Sequence, residues 1–152
     1  MSDDNSETIA EKHSTLAAEK IIDIIDEILE DKIEFKEQNH NKASYATKIE
    51  KTEGQIEWGE TAENIIGKIN GLYPSPGAFF IYNGERYKIL KASLSPSSGN
   101  VGEVLDNYLE IGCGNKKSIK ILEIQRQGKR PQNINEFMLG SQIKKGSNLN
   151  NA

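Results

Sequence analysis

This sequence is short of the residues that most often announce a chemistry. It has one cysteine, Cys113, two histidines and one tryptophan among 152 residues. A lone cysteine excludes an internal disulfide framework. With so few His and Cys, no cluster of metal-ligand spacing can be drawn. Long apolar runs are missing too. The densest are Ile21-Ile22 and Ile24-Ile25, far short of the roughly 20 apolar residues a membrane span needs. The opening MSDDNSETIAEK is acidic and lacks the basic-then-apolar pattern of a signal segment. The expectation is a protein of the reducing cytoplasm with no membrane partner.

What is present is charge, unevenly placed. Residues 1–40 carry twelve Asp or Glu against four Lys or Arg, whereas residues 41–152 carry fifteen basic against eleven acidic. Between Lys116 and Lys145 eight basic residues face only Glu123 and Glu136. The second part can meet phosphates; the first cannot.

Periodicity predicts a helix over 6–29, with Ile9, His13, Leu16, Ile21, Ile24, Ile25 and Ile28 on one stripe and Asn5 or Ser6 as cap. A single helix cannot bury its own stripe, so this one requires a partner surface. The polar stretch 31–54 reads as an extended connector with Tyr45 and Ile49 as anchors. A second short helix is predicted over 61–71, ended by Gly71, and Pro74 and Pro76 forbid its continuation. Strands 78–82 and 85–93 flank Asn83-Gly84, the strongest short hairpin signal. Strands 102–105, 108–113 and 118–123 follow, then a helix over 134–139 capped by Asn133. Five closely spaced strands suggest a small barrel.

Several blocks resemble, in order, the C-terminal half of methionyl-tRNA formyltransferases. They are Tyr45-Ala46-x-Lys48-Ile49, Ile56-x-Trp58, Pro74-x-Pro76-Gly77-Ala78-Phe79, and the closing NEFMLG and IKKGSNL stretches. The sugar-nucleotide formyltransferases share the Trp58 and Pro76–Phe79 region. The resemblance implies an α+β chain: a small five- to six-stranded OB-like β-barrel with short helices. One amphipathic helix and an extended linker, left over from a truncated Rossmann-like domain, precede it. Residues 1–30 would be the terminal helix of that catalytic domain, 31–55 the linker, 56–149 the OB-like tRNA-binding domain and 150–152 a disordered tail.

The resemblance implies a catalytic loop with an Asn and a His, an Asp from a later loop, and 10-formyltetrahydrofolate as co-substrate. Asn39-His40 lacks the Leu-Pro that ends that loop, so no catalytic or cofactor-binding residue is assigned, and His40 is read as a solvated connector residue. His13 is read as a helix-surface residue. Cys113, in Ile111-Gly112-Cys113-Gly114 with no neighbouring His, is a poor nucleophile, and Gly112-x-Gly114 is too short for a dinucleotide fingerprint.

The resemblance also implies backbone-type binding of initiator tRNA. The residues assigned to it are Lys88, Lys91, Lys116, Lys117, Lys120, Arg126, Lys129, Arg130, Lys144 and Lys145. The same lysines also suit a merely solvated surface. A separate N-terminal catalytic polypeptide is a further expected partner. A stand-alone, non-catalytic RNA- or protein-binding module is the alternative reading.

Overall fold

The structure, a computed structural model, describes residues 4–150. Helix α1 spans Ser6–Leu29. Asn5 caps it: its side chain accepts from Thr8 N at 2.9 Å and the Thr8 hydroxyl accepts from Asn5 N at 3.0 Å. Its stripe faces solvent, with Leu16 and Ile21 half or more exposed. The helix meets the rest of the chain at its N-terminal end, where the Ser6 hydroxyl donates to the Tyr73 carbonyl.

The connector is extended, broken by short 3-10 turns at His40–Lys42 and Lys51–Gly54. The expected anchors do not hold it: Tyr45 is 98% exposed and Ile49 50%. The connector docks at Gly54 instead. A Cβ there would lie 2.5 Å from the Gly77 carbonyl oxygen, so only glycine permits the approach. Ile56 N then donates to Phe79 O at 2.8 Å.

Helix α2, Ala62–Gly71, is capped by the Thr61 hydroxyl and buries Ala62, Ile65, Ile66 and Ile69. Gly71 is its last residue rather than its cap, which is Leu72. Strands β1 (Ala78–Tyr82) and β2 (Glu85–Ser95) form the expected hairpin. Asn83 and Gly84 both take positive φ, 50° and 76°, as its two-residue turn requires.

Strands β3 (Glu110–Gly112), β4 (Ser118–Arg126) and β5 (Gln132–Asn133) complete an antiparallel sheet of order β1-β2-β4-β3, with β5 on β4. Strand β4 is central. It pairs β2 along one edge, and β3 and β5 share the other. Helix α3, Ile134–Gly140, follows β5 directly, capped by the Asn133 side chain.

Three expectations change. The sheet is not closed into a barrel: β1 and β3 are its far members, and α2 packs against β2 and β4. The expected strand 102–105 contributes isolated bridges, Val104 to Ile111 and Glu103 to Asn148. The expected strand 108–113 shortens because the Asp106 carboxylate takes Tyr108 N and Glu110 N, and Leu109 turns left-handed at φ 55°. Strand β5 was not anticipated. Of the expected tail 150–152, residues 151 and 152 lie outside the described residues.

The core gathers Ile65 and Ile69 from α2, Ile89 from β2, Ile111 from β3 and Ile119, Ile121 and Ile124 from β4. An aromatic row crosses it. Trp58 meets Phe80 edge-on at 5.8 Å, Phe80 stacks on Tyr87 at 5.3 Å, and Tyr87 meets Phe137 edge-on at 5.8 Å. This row runs from the core to a cavity that Tyr87 and Phe137 line.

Candidate nucleic-acid interface

The cavity is about 490 Å³ and opens where the β1–β2 hairpin, the end of β4 and α3 converge. Its more buried lining includes the aromatic Tyr82, Tyr87 and Phe137; its exposed lining carries Arg126, Lys129 and Arg130, with the carboxylates of Glu85 and Glu136 on the same cavity. Local sequence explains the exposed cations. Gly128 takes φ 72°, which lets the chain reverse after β4. Lys129 N donates to Arg126 O at 2.9 Å, and the Gln125 side chain donates to Lys129 O at 2.8 Å. The turn is thereby pinned with two cations beside the cavity.

The three cations are not equivalent. Arg126 is committed to Glu85, whose carboxylate also accepts the Tyr87 hydroxyl at 2.8 Å. Arg126 first, and Tyr87 second, hold the Glu85 carboxyl below its ordinary range. Burial, reinforced by Glu85, pushes the Tyr87 phenol up to about 12, so it stays protonated and donating. Among the described residues Lys129 and Arg130 form no salt bridge.

A second, smaller cavity of about 230 Å³ lies beside it, lined by Arg86, Lys88, Gln125 and Gly128, with Arg126 common to both. The Arg86 guanidinium sits 3.7 Å above the Phe79 ring centroid, a cation–π arrangement that holds a charge in place. Arg86 was absent from the sequence assignment, although alternation puts it on the face of Lys88. That face continues along β2 and β4 to Lys91 and Lys120, both exposed.

The ten assigned residues therefore do not form one patch. Arg126, Lys129 and Arg130 share the large cavity, and Lys88 joins Arg126 on the small one. Lys91 and Lys120 lie further along the sheet. Lys120 is 3.7 Å from Glu110. Lys116 and Lys117 sit on the β3–β4 turn, where Lys117 pairs with Glu63 of α2. Lys144 and Lys145 are exposed beyond α3. The acidic partners Glu63, Glu85 and Glu110 were missed because each contact joins separate elements.

Other candidates carry little chemistry. His13 and His40 are exposed. Cys113 is 1% exposed and burial raises its thiol to about 11. Among the described residues no three His, Cys, Asp or Glu are grouped to hold a metal, and no helix is long and apolar enough to cross a membrane.

An open antiparallel sheet flanked by short helices, reached through an extended connector and bearing cations where β4 ends, defines an α+β module distinct from a Rossmann-like parallel sheet. The model of the formyl transferase C-terminal domain matches residues 48–142, and the chain belongs to that family. It is 68% identical to the methionyl-tRNA formyltransferase of Pelagibacter ubique over 97% of this chain and 48% of that protein. With the enzyme of the same name from Bradyrhizobium diazoefficiens it shares 38% identity, over 76% of this chain and 38% of that protein. The chain thus spans about half the length, or less, of the curated relatives it matches. In fold it is similar to a HypX variant from Aquifex aeolicus, at TM-score 0.69 and 16% identity over 95% of this chain and 28% of that one. HypX in complex with tetrahydrofolic acid is similar at TM-score 0.57 and 18% identity, over 82% of this chain and 24% of that one.

Proposed function

We propose that this chain is the tRNA-positioning part of a methionyl-tRNA formyltransferase. Such an enzyme moves a formyl group from 10-formyltetrahydrofolate to the amino group of initiator Met-tRNA. In this reading the module is OB-like but left open between β1 and β3. It holds tRNA by its phosphates and supplies neither the folate site nor the catalytic groups, which belong to a separate catalytic portion. It works in the cytoplasm beside that portion.

The observation that carries the reading is the pair Lys129 and Arg130, cations without a salt bridge among the described residues, carried on a pinned turn beside the large cavity. Arg86 and Lys88 continue the positive surface on the adjoining face. Cations fixed on a rigid turn give affinity for a phosphate backbone and carry little sequence information. Formyl transfer would need a positioned proton acceptor and stabilisation of an oxyanion. The exposed histidines and the buried, protonated Cys113 are poor material for either.

The test is a Lys129→Ala/Arg130→Ala double variant, titrated with tRNA at several salt concentrations. Binding weakens, and the log–log salt slope falls by roughly one unit per lost phosphate contact. An unchanged affinity and slope would reduce the cations to solvated surface. The purified chain given Met-tRNA and 10-formyltetrahydrofolate yields no formyl-Met-tRNA; turnover above background overturns the non-catalytic assignment.

A further inference from the structure

We propose that the large cavity takes a single unpaired nucleotide of the bound RNA, and is not simply part of a flat phosphate-binding surface. This rests on the tRNA reading above and specifies it further.

Shape is the first argument. A duplex backbone is met by cations on a convex or shallow surface. Here Lys129 and Arg130 line a recess of about 490 Å³, within the usual range for a small-molecule site and too large for a phosphate alone. Bases in a duplex are stacked and cannot enter such a recess, whereas an unpaired base can be turned into it.

Lining chemistry is the second argument. A phosphate needs only donors. This recess also has aromatic lining, in which Tyr82 is partly exposed while Tyr87 and Phe137 are buried and packed edge-on against each other. Aromatic rings offer a stacking surface for any base. The side-chain amides of Gln132 and Gln142 stand on its wall, and each amide can both donate and accept along a base edge. Cations, amides and rings on one recess match the phosphate, edge and face of one nucleotide.

The division of labour among the cations is the third argument. Glu85 neutralises Arg126 and fixes it against the wall, and Tyr87 holds Glu85 from below. That leaves Lys129 and Arg130, both exposed, for the phosphodiester.

Two measurements on the full chain test this. First, a short fluorescent single-stranded oligoribonucleotide is bound to the wild type and displaced with adenosine 5′-monophosphate or with inorganic phosphate. The mononucleotide competes better by about tenfold, the scale of one stacked base. Equal competition by phosphate overturns the proposal. Second, Gln142→Trp narrows the recess from its lining without changing charge. It weakens the single strand by about tenfold and leaves an RNA duplex of the same sequence bound as before. A Gln142→Trp variant that binds the single strand like the wild type overturns the proposal as well. The competition arm needs no variant, so it stands even if this substitution perturbs folding.

Lys129→Ala/Arg130→Ala separates the two claims. If it weakens single strand and duplex together while the nucleotide-specific effects fail, the recess proposal falls and the phosphate-binding reading survives. If it changes neither, both fall.

Discussion

Arg126, at the end of β4, reaches across the sheet to the carboxylate of Glu85 at the start of β2, and Tyr87 donates to that same carboxylate at 2.8 Å. The contact closes the wall of the large cavity, and it is also a pH-sensitive contact. Glu110 behaves alike on β3. Burial opposes its ionisation, but the hydroxyls of Ser118, Ser95 and Ser97, helped by Lys120, outweigh it, and the carboxyl ends below its ordinary range. Both folded-state values are depressed, so the stabilisation is present above the unfolded carboxylate value of about 4.3 and is lost as pH falls through the folded value. Urea midpoints measured from neutral pH into acid should therefore decline below that value. Glu110→Gln, with no proton to take up there, should decline less steeply; a slope identical to the wild type would rule Glu110 out as a source.

Gly114 is the tightest glycine in the structure. A Cβ there would stand 1.9 Å from the Gly59 carbonyl oxygen and 2.7 Å from its carbon. Those are backbone atoms and cannot swing away. Gly114 N also donates to Glu60 O at 2.9 Å, so the approach is fixed from both sides. Gly114→Ala should cost about 1–3 kcal/mol by urea titration. Gly67→Ala, where nothing lies within 4 Å of the added carbon, should cost nothing and is the control.

Stability should be concentrated in the sheet module. Phe80 is 2% exposed at the centre of the aromatic row, and Phe80→Ala should cost about 3–5 kcal/mol. Ile24 on α1 is 40% exposed, so Ile24→Ala should stay within about 0.5 kcal/mol of the wild type. Thermal melts of the isolated chain check both. A large loss from Ile24→Ala would mean the helix is packed in solution.

Cys113 should be silent to thiol reagents. Its thiol is buried and donates to the Ile111 carbonyl at 3.5 Å, and burial raises its pKa to about 11. At mildly alkaline pH the native thiol is protonated and covered, so a chromogenic disulfide should report one thiol only after denaturant is added. Rapid reaction of the native protein would show that the β3–β4 edge opens readily.

Much of this was legible in the sequence, for local reasons. Helices α1, α2 and α3 begin at Asn5, Thr61 and Asn133, all residues able to bond their own first turn. The Asn83-Gly84 turn and the alternation around it likewise specify the β1–β2 hairpin. Two of the family blocks do visible structural work: Pro76 and Gly77 lead into β1, and the Trp58 ring packs edge-on against Phe80.

The remainder depends on partners distant in sequence. Strand β5 is two residues long and exists because β4 offers it an edge. Whether five strands close into a barrel depends on how β1 and β3 are placed, which no local pattern states. The basic residues were visible but their neutralisation was not: Lys117 meets Glu63 across 54 positions and Arg126 meets Glu85 across 41. Those two pairings separate the cations free to meet an anion from those already occupied.

The place of β4 has a consequence for biosynthesis. Among the described residues it is the only strand touching three others, yet it is made after two of the three it joins. A nascent chain that ends before Ser118 holds the β1–β2 hairpin with α2 against it but lacks the strand that pairs the other edge of β2. A two-stranded hairpin is marginal in water without further packing, and that edge waits unpaired while translation continues. Assembly of the sheet should then be abrupt, arriving when residues 118–126 clear the ribosome, and chaperone demand should be greatest just before that moment.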